Sequence, residues 1–156
     1  MIKVRLKIAN GKALDTADNY GLIYVSSDHR FDAPIKAFEK STYPEEEGEH
    51  IYAQTTKDAF DYKIVWLIKT EGSLEAANAM IAKFNSFLYE QEGDVLHFKQ
   101  VTFYNDYKKV MIVGTPTLIN EATEFWRDAS GKTHDVVQVE WVIRVSKPSL
   151  CNFDLR

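Results

Sequence analysis

Only one cysteine, Cys151, occurs among the 156 residues. A single thiol cannot close an internal disulfide, so no covalent staple of its own holds this chain together, which suits a reducing compartment. No apolar run approaches the roughly 18 consecutive residues that cross a membrane as a helix. The opening MIKVRLKIANG alternates apolar with basic side chains. A secretory leader instead places a charged head before an apolar stretch and a cleavage site, so the chain reads as made in the cytoplasm, with no membrane partner. Positive charge is not in excess either. The net charge is −4, with −3 carried by residues 1–78 and −1 by residues 79–156. Neither half is a basic arm, and no nucleic-acid contact is called for, because such contacts draw on a patch that neutralises phosphates.

Catalytic signatures are equally sparse. No GxSxG elbow is present, and GTPTL at 114–118 has no lysine in a glycine-rich cradle. The four histidines, His29, His50, His97 and His134, form no HxH or HxxxH pair. A zinc site needs three or four converging ligands. Paired carboxylates could be drawn at will from 23 acids, so any such choice is arbitrary. Cys151, in SLCNFDLR, reads as a packing or surface cysteine. No catalytic, cofactor-binding or metal-binding residue is assigned, and the chain does not read as an enzyme.

What is present is the material of a folded globule: 45% hydrophobic residues, 13% aromatic. The length fits a single domain, 1–156, with a buried core. IKVRLKI (2–8) alternates Ile2, Val4, Leu6 and Ile8 with Lys3, Arg5 and Lys7, a strand with one dry and one basic face. NG at 10–11 follows as a turn, and GLIYVSS (21–27) reads as a second strand. AFDYKIVWLIKT (59–70) is the clearest strand. Phe60, Tyr62, Ile64, Trp66 and Ile68 share one face, and the opposite face is apolar only in its middle, at Val65 and Leu67, which implies that something covers it there.

GSLEAANAMIAKFNSFLYEQEG (72–93) predicts a helix, with Ser73 as N-cap and Gly93 as the stop. Its apolar stripe is Leu74, Ala77, Ile81, Phe84 and Leu88, with Asn85 off the stripe. DVLHFKQVTF (94–103) and KKVMIVGTPTL (108–118) read as strands around YNDY. Residues 120–128 and 133–146 read as a hairpin around ASGK, with Val137, Val139, Trp141, Ile143 and Val145 on one face. One helix among this many strands excludes a doubly wound parallel fold. The expected class is α+β, mainly β: an antiparallel β-sandwich or barrel with one packed α-helix.

A long, weakly patterned loop spans about 28–59. It exceeds the ~12–15 residues usual for a structureless connection, so it is functional or conceals an element. APIKAFEKS (33–41) suggests a short helix within it. Its centre, STYPEEEGEHIY (41–52), gathers four glutamates, a histidine and two tyrosines around Gly48. Calcium loops alternate their oxygens at fixed spacing, and this segment does not. It reads as a solvated acidic turn. Tyr43, Tyr52, Phe103, Tyr104 and Tyr107 fall in loops or at strand ends, and exposed aromatics are enriched in contact surfaces.

The order of these elements, with the strand FDYKIVWLI, the helix AANAMIAKFNSFLY, the pair GDVLHFKQVTFYNDYKKVMIVG and the final VVQVEWVIRV, resembles phage tail components. In particular it is similar to the core domain of distal tail proteins and to tail-tube proteins, over residues 1–146. The resemblance implies a sandwich or barrel with a flanking helix that assembles into hexameric rings with itself and other tail proteins. It also implies no catalytic residues and no cofactor, with a place in the virion tail after assembly. Hub, tube, tube end and a tail-derived injection machine all fit. The candidate interface is Tyr43, Pro44, Glu45, Glu46, Glu47, Gly48 and Glu49, facing the Lys3, Arg5 and Lys7 surface of a neighbour. The competing expectations are a monomeric ligand- or peptide-binding module using the loop aromatics, and an enzyme whose site the sequence hides.

Overall fold

The computed structural model describes residues 4–45, 47–69, 74–117, 122–127 and 133–156. The chain opens with β1 (Arg5–Ile8), β2 (Leu14–Asp15), a short helix α1 (Thr16–Tyr20) and β3 (Leu22–Ser27). A long excursion carries the short strands β4 (Lys40–Ser41) and β5 (His50–Ile51) before β6 (Phe60–Lys69). Then come helix α2 (Leu74–Leu88), β7 (Tyr89–Glu92), β8 (Val95–Phe98), β9 (Val101–Asn105) and β10 (Val110–Pro116). The last long strands are β11 (Ala122–Arg127) and β12 (Thr133–Val145).

Among the described residues, eight strands join in the order β2-β1-β9-β10-β12-β6-β3, with β11 also on β12. Every pairing between these strands is antiparallel. The longest, β6 with β12, runs in unbroken register from Phe60↔Val145 to Lys69↔Val136. That register sets Tyr62 opposite Ile143, Ile64 opposite Trp141 and Trp66 opposite Val139, all buried. Strict alternation on both strands thus makes one continuous dry face, because successive side chains point to opposite sides.

The sheet turns back on itself at β10. Val110–Gly114 pair with β9, whereas Thr115 and Pro116 pair with Arg144 and Ile143 of β12. At this corner a Cβ on Gly114 would lie 2.4 Å from the Arg144 carbonyl oxygen, so only glycine allows the close approach. The two halves then face each other. Phe103 of β9 sits 6.0 Å from Trp66 and 6.1 Å from Tyr62, ring centre to ring centre. β2 and β3 end the path without meeting, so this is an open sandwich and not a closed barrel.

Helix α2 closes the core through Ala77, Phe84 and Leu88, with Phe84 edge-on to Trp141 at 5.7 Å. Beyond β12 a 3-10 turn at Pro148–Leu150 leads the chain back along β10. There Met111 and Asn152 exchange backbone hydrogen bonds of 2.7 and 2.9 Å. Cys151 is half-buried there. Burial pushes its thiol pKa up, and its Sγ accepts from the Val113 N–H at 3.3 Å.

Several expectations need correction. Residues 33–41 form no helix; they run extended into β4. Helix α2 ends at Leu88, not Gly93, because Tyr89–Glu92 pair with Val95–Phe98 as a hairpin, and Gly93 (φ 61°) serves its turn. The 94–103 segment is therefore two strands, not one. α1 has no counterpart among the expected elements, although its Asp15 cap (Asp18 N–H to Oδ1, 3.1 Å) and left-handed Gly21 are legible in DTADNYG. Asn85 is buried, not off the packed face, and Phe103 is a core residue, not an exposed aromatic. The Ser73 cap and the ASGK connection lie outside the described residues.

Candidate assembly arm

The excursion between β3 and β6 is anchored at its root by a polar junction. The Tyr62 hydroxyl donates to Ser27 Oγ at 3.0 Å, and Tyr24 and Ser27 share a hydrogen bond of 2.9 Å. Asn105 Nδ2 donates to the Tyr24 hydroxyl at 3.0 Å, and Lys108 Nζ donates to the Ser27 carbonyl. Burial pushes the Tyr62 phenol up to about 12, with the Ser27 hydrogen bond opposing. The Asp28 N–H donates to the Lys63 carbonyl at 3.0 Å, and the Lys63 N–H donates to the Asp28 carboxylate at 2.9 Å. The Arg30 guanidinium lies 4.5 Å above the Phe60 ring. Lys57 meets Asp32 at 2.6 Å, a hydrogen bond that holds the Asp32 carboxyl below its usual range, and the Ala33 N–H adds to it.

Beyond this root the chain forms a ribbon of two antiparallel strands. Asp58 N–H donates to Pro34 O (2.7 Å), Lys36 N–H to Thr56 O (2.9 Å) and Tyr52 N–H to Glu39 O (2.8 Å). The pairs Lys40↔Ile51 and Ser41↔His50 follow. Alternation gives the ribbon two faces. Phe38, Lys40, Glu49 and Ile51 share one, with Lys40 and Glu49 paired at 3.7 Å. Glu39, Ser41, Tyr43, His50 and Tyr52 share the other, where the Tyr43 ring stands edge-on to His50 at 5.1 Å. Hydrogen bonds with Ser41 and then Tyr43 lower the Tyr52 pKa.

Both faces are open to solvent. Ile35 is 65% exposed, Phe38 49%, Ile51 58% and Tyr52 51%. An isolated two-stranded ribbon is marginal in water, and contiguous exposed apolar side chains mark interaction surfaces. Open clefts of about 640 and 740 Å³ run along the ribbon, lined by Ile35, Phe38, Thr55 and Thr56, with Ser149 closing the first.

The candidate interface residues fall as follows. Tyr43, Pro44, Glu45, Glu47, Gly48 and Glu49 form the exposed tip, where Gly48 takes φ 77°. Glu46 and Lys3 lie outside the described residues. Arg5 and Lys7 sit on β1, where Arg5 is held by Asp106 at 3.3 Å and lies 4.8 Å over the Tyr104 ring. Arg5 is therefore engaged within its own chain, whereas the tip projects from the ribbon. Among the described residues no cluster of three His, Cys, Asp or Glu could hold a metal ion. His97 pairs with Glu92 on the β7–β8 surface at 3.4 Å. A small cavity of about 140 Å³ lies between the two helices, lined by Tyr20, Met80, Lys83, Phe84 and Phe87. No described helix is long and apolar enough to cross a membrane.

No protein-family model matches this chain, and no curated protein matches it. Its fold is similar to that of the Dit protein of phage SPP1, described as a paradigm of the hub adsorption apparatus in phages that infect Gram-positive hosts. The TM-score is 0.59 at 14% identity, covering 93% of this chain and 50% of that one. At this identity the likeness is one of fold, and this chain spans about half the length of that neighbour.

Proposed function

We propose that this protein is a structural, self-assembling component of a phage tail or of a phage-derived tail, a ring or tube subunit joined by protein–protein contacts. The observation that carries the reading is the arm of residues 33–59, which leaves Ile35, Phe38, Ile51 and Tyr52 exposed and is set on a Dit-like sandwich. A ring subunit needs an element that reaches a neighbour, and a heterologous contact of this kind repeats until the ring closes. The partners are further copies of the chain, six in a closed ring, and other tail proteins. The tip residues Tyr43 to Glu49, together with Lys3, Arg5 and Lys7, are the proposed contact groups. The chain acts as one domain, catalyses nothing, needs no cofactor, nucleic acid or membrane, and moves from the cytoplasm into the assembled tail.

The test is mass in solution across concentration and salt, with negative-stain microscopy, for the protein alone and mixed with the other proteins of its tail. Rings or tubes are the expected result. A strict monomer under every condition sinks the proposal. It would favour the alternative, a monomeric ligand- or peptide-binding module, for which the open clefts along the ribbon are the supporting observation.

A further inference from the structure

The cavity of about 140 Å³ between α1 and α2 shares no residue with the arm. Its walls follow from local geometry. Gly21 ends α1 in the left-handed region (φ 68°), and a Cβ there would collide with Met80 Cε, so the Met80 side chain reaches the backbone at this turn. Met80, Phe84 and Phe87 recur at steps of four and three, which places them along one side of α2, with Lys83 between them. Tyr20 stands edge-on to both rings, 5.3 Å from Phe84 and 5.9 Å from Phe87. Phe84 is buried, whereas Phe87 stays partly exposed at the cavity's rim.

Two polar groups meet this apolar space with no partner among the described residues. The Lys83 ammonium makes no ion pair, and the Tyr20 hydroxyl makes no hydrogen bond. Burial pushes the Tyr20 phenol pKa up, so the hydroxyl keeps its proton and can donate. Among the described residues no carboxylate lines the cavity, so its charge is positive. An apolar cavity with a few converging polar groups is the usual form of a small-molecule site. A dry cavity of about 150 Å³ holds one benzene ring, so this one has room for a single ring.

We infer that this cavity binds a small carboxylate that carries one apolar ring. The ring fills the space beside Tyr20, Phe84 and Phe87, where edge-to-face contacts favour an aromatic body. The carboxylate takes a charge-assisted hydrogen bond from Lys83, and the Tyr20 hydroxyl is the second donor. The unbranched thioether of Met80 adjusts to the shape of the ring.

The test compares phenylacetate with its neutral isostere phenylacetamide by saturation-transfer NMR on the full chain, a readout that works whether the chain is free or assembled. Saturable binding of phenylacetate is expected, at least about fivefold tighter than phenylacetamide. Lys83→Met keeps the apolar stem and should erase that preference with an unchanged melting curve. Lys36→Met, which removes a charge from the exposed arm, should leave the preference intact. Phe87→Ala, which removes one wall, should weaken both probes. Equal binding of the two probes, or a preference that survives Lys83→Met, overturns the role of Lys83. No saturable binding of either probe, or binding that Phe87→Ala leaves unchanged, overturns the site.

Discussion

Excising residues 43–50, so that Thr42 joins Ile51, separates folding from assembly. Every described residue of that segment is exposed, so the core keeps all of its buried surface. The excision removes the Ser41↔His50 pair, the edge-on Tyr43–His50 ring contact and the Lys40–Glu49 ion pair. An exposed ion pair contributes about 0–1 kcal/mol, and the shorter loop is slightly easier to close, so the net change is within about 1 kcal/mol. For a chain of this size that shifts Tm by about 2–4 °C. Association should suffer far more. An aromatic anchor such as Tyr43 contributes about 2 kcal/mol when seated at a contact, which is roughly 30-fold in Kd. Differential scanning calorimetry reads the first quantity and analytical ultracentrifugation the second. A Tm loss above about 10 °C, or loss of cooperative unfolding, would show that the tip is part of the fold. Unchanged association would show that it touches nothing.

Phe84→Ala and Trp141→Ala should each destabilise by about 3–5 kcal/mol in urea titration, because each ring is buried against the other; a near-neutral result would break the assigned packing. Gly114→Ala should lower the urea midpoint well beyond a surface substitution, since its methyl meets the Arg144 backbone; an unchanged midpoint contradicts the close approach at the sheet corner. The Tyr62 phenol, raised from 10.0 to about 12, holds its proton more tightly in the folded chain, so its contribution is whole below about pH 10 and fades as pH rises toward 12. Compared with the wild type, Tyr62→Phe should therefore lose its disadvantage over that interval. A stability difference that stays constant with pH would refute the assignment.

Periodicity carried the sheet. Phe60, Tyr62, Ile64, Trp66 and Ile68, and Val137, Val139, Trp141, Ile143 and Val145, alternate so strictly that only one face could be dry, and the structure buries all ten. The errors cluster where local signals compete. LYEQEG continues the helical spacing of α2, yet Tyr89 and Phe98 meet across a hairpin at 5.7 Å, and that pairing overrides the helix. APIKAFEKS has acceptable helix composition, but its backbone bonds go to residues 56 and 58 instead, a long-range choice that no local propensity reveals. Phe103 reads as a strand-end aromatic from its neighbours YNDY, although its alternation with Val101 and Asn105 already puts it on the dry face.

For the arm, composition identified an acidic, aromatic stretch without metal-ligand spacing, and that is a matter of covalent order alone. Its shape was decided elsewhere. Tyr24, Tyr62, Asn105 and Lys108, distant in sequence, converge around Ser27 and fix where the ribbon leaves the sheet. Which strands would fold over one another was likewise settled at Gly114, where β10 changes partners. The sequence determined which faces are dry, because side-chain direction follows strand geometry. Only the tertiary structure decided which dry faces meet inside the chain, and that Phe38 and Ile51 on the arm stay exposed.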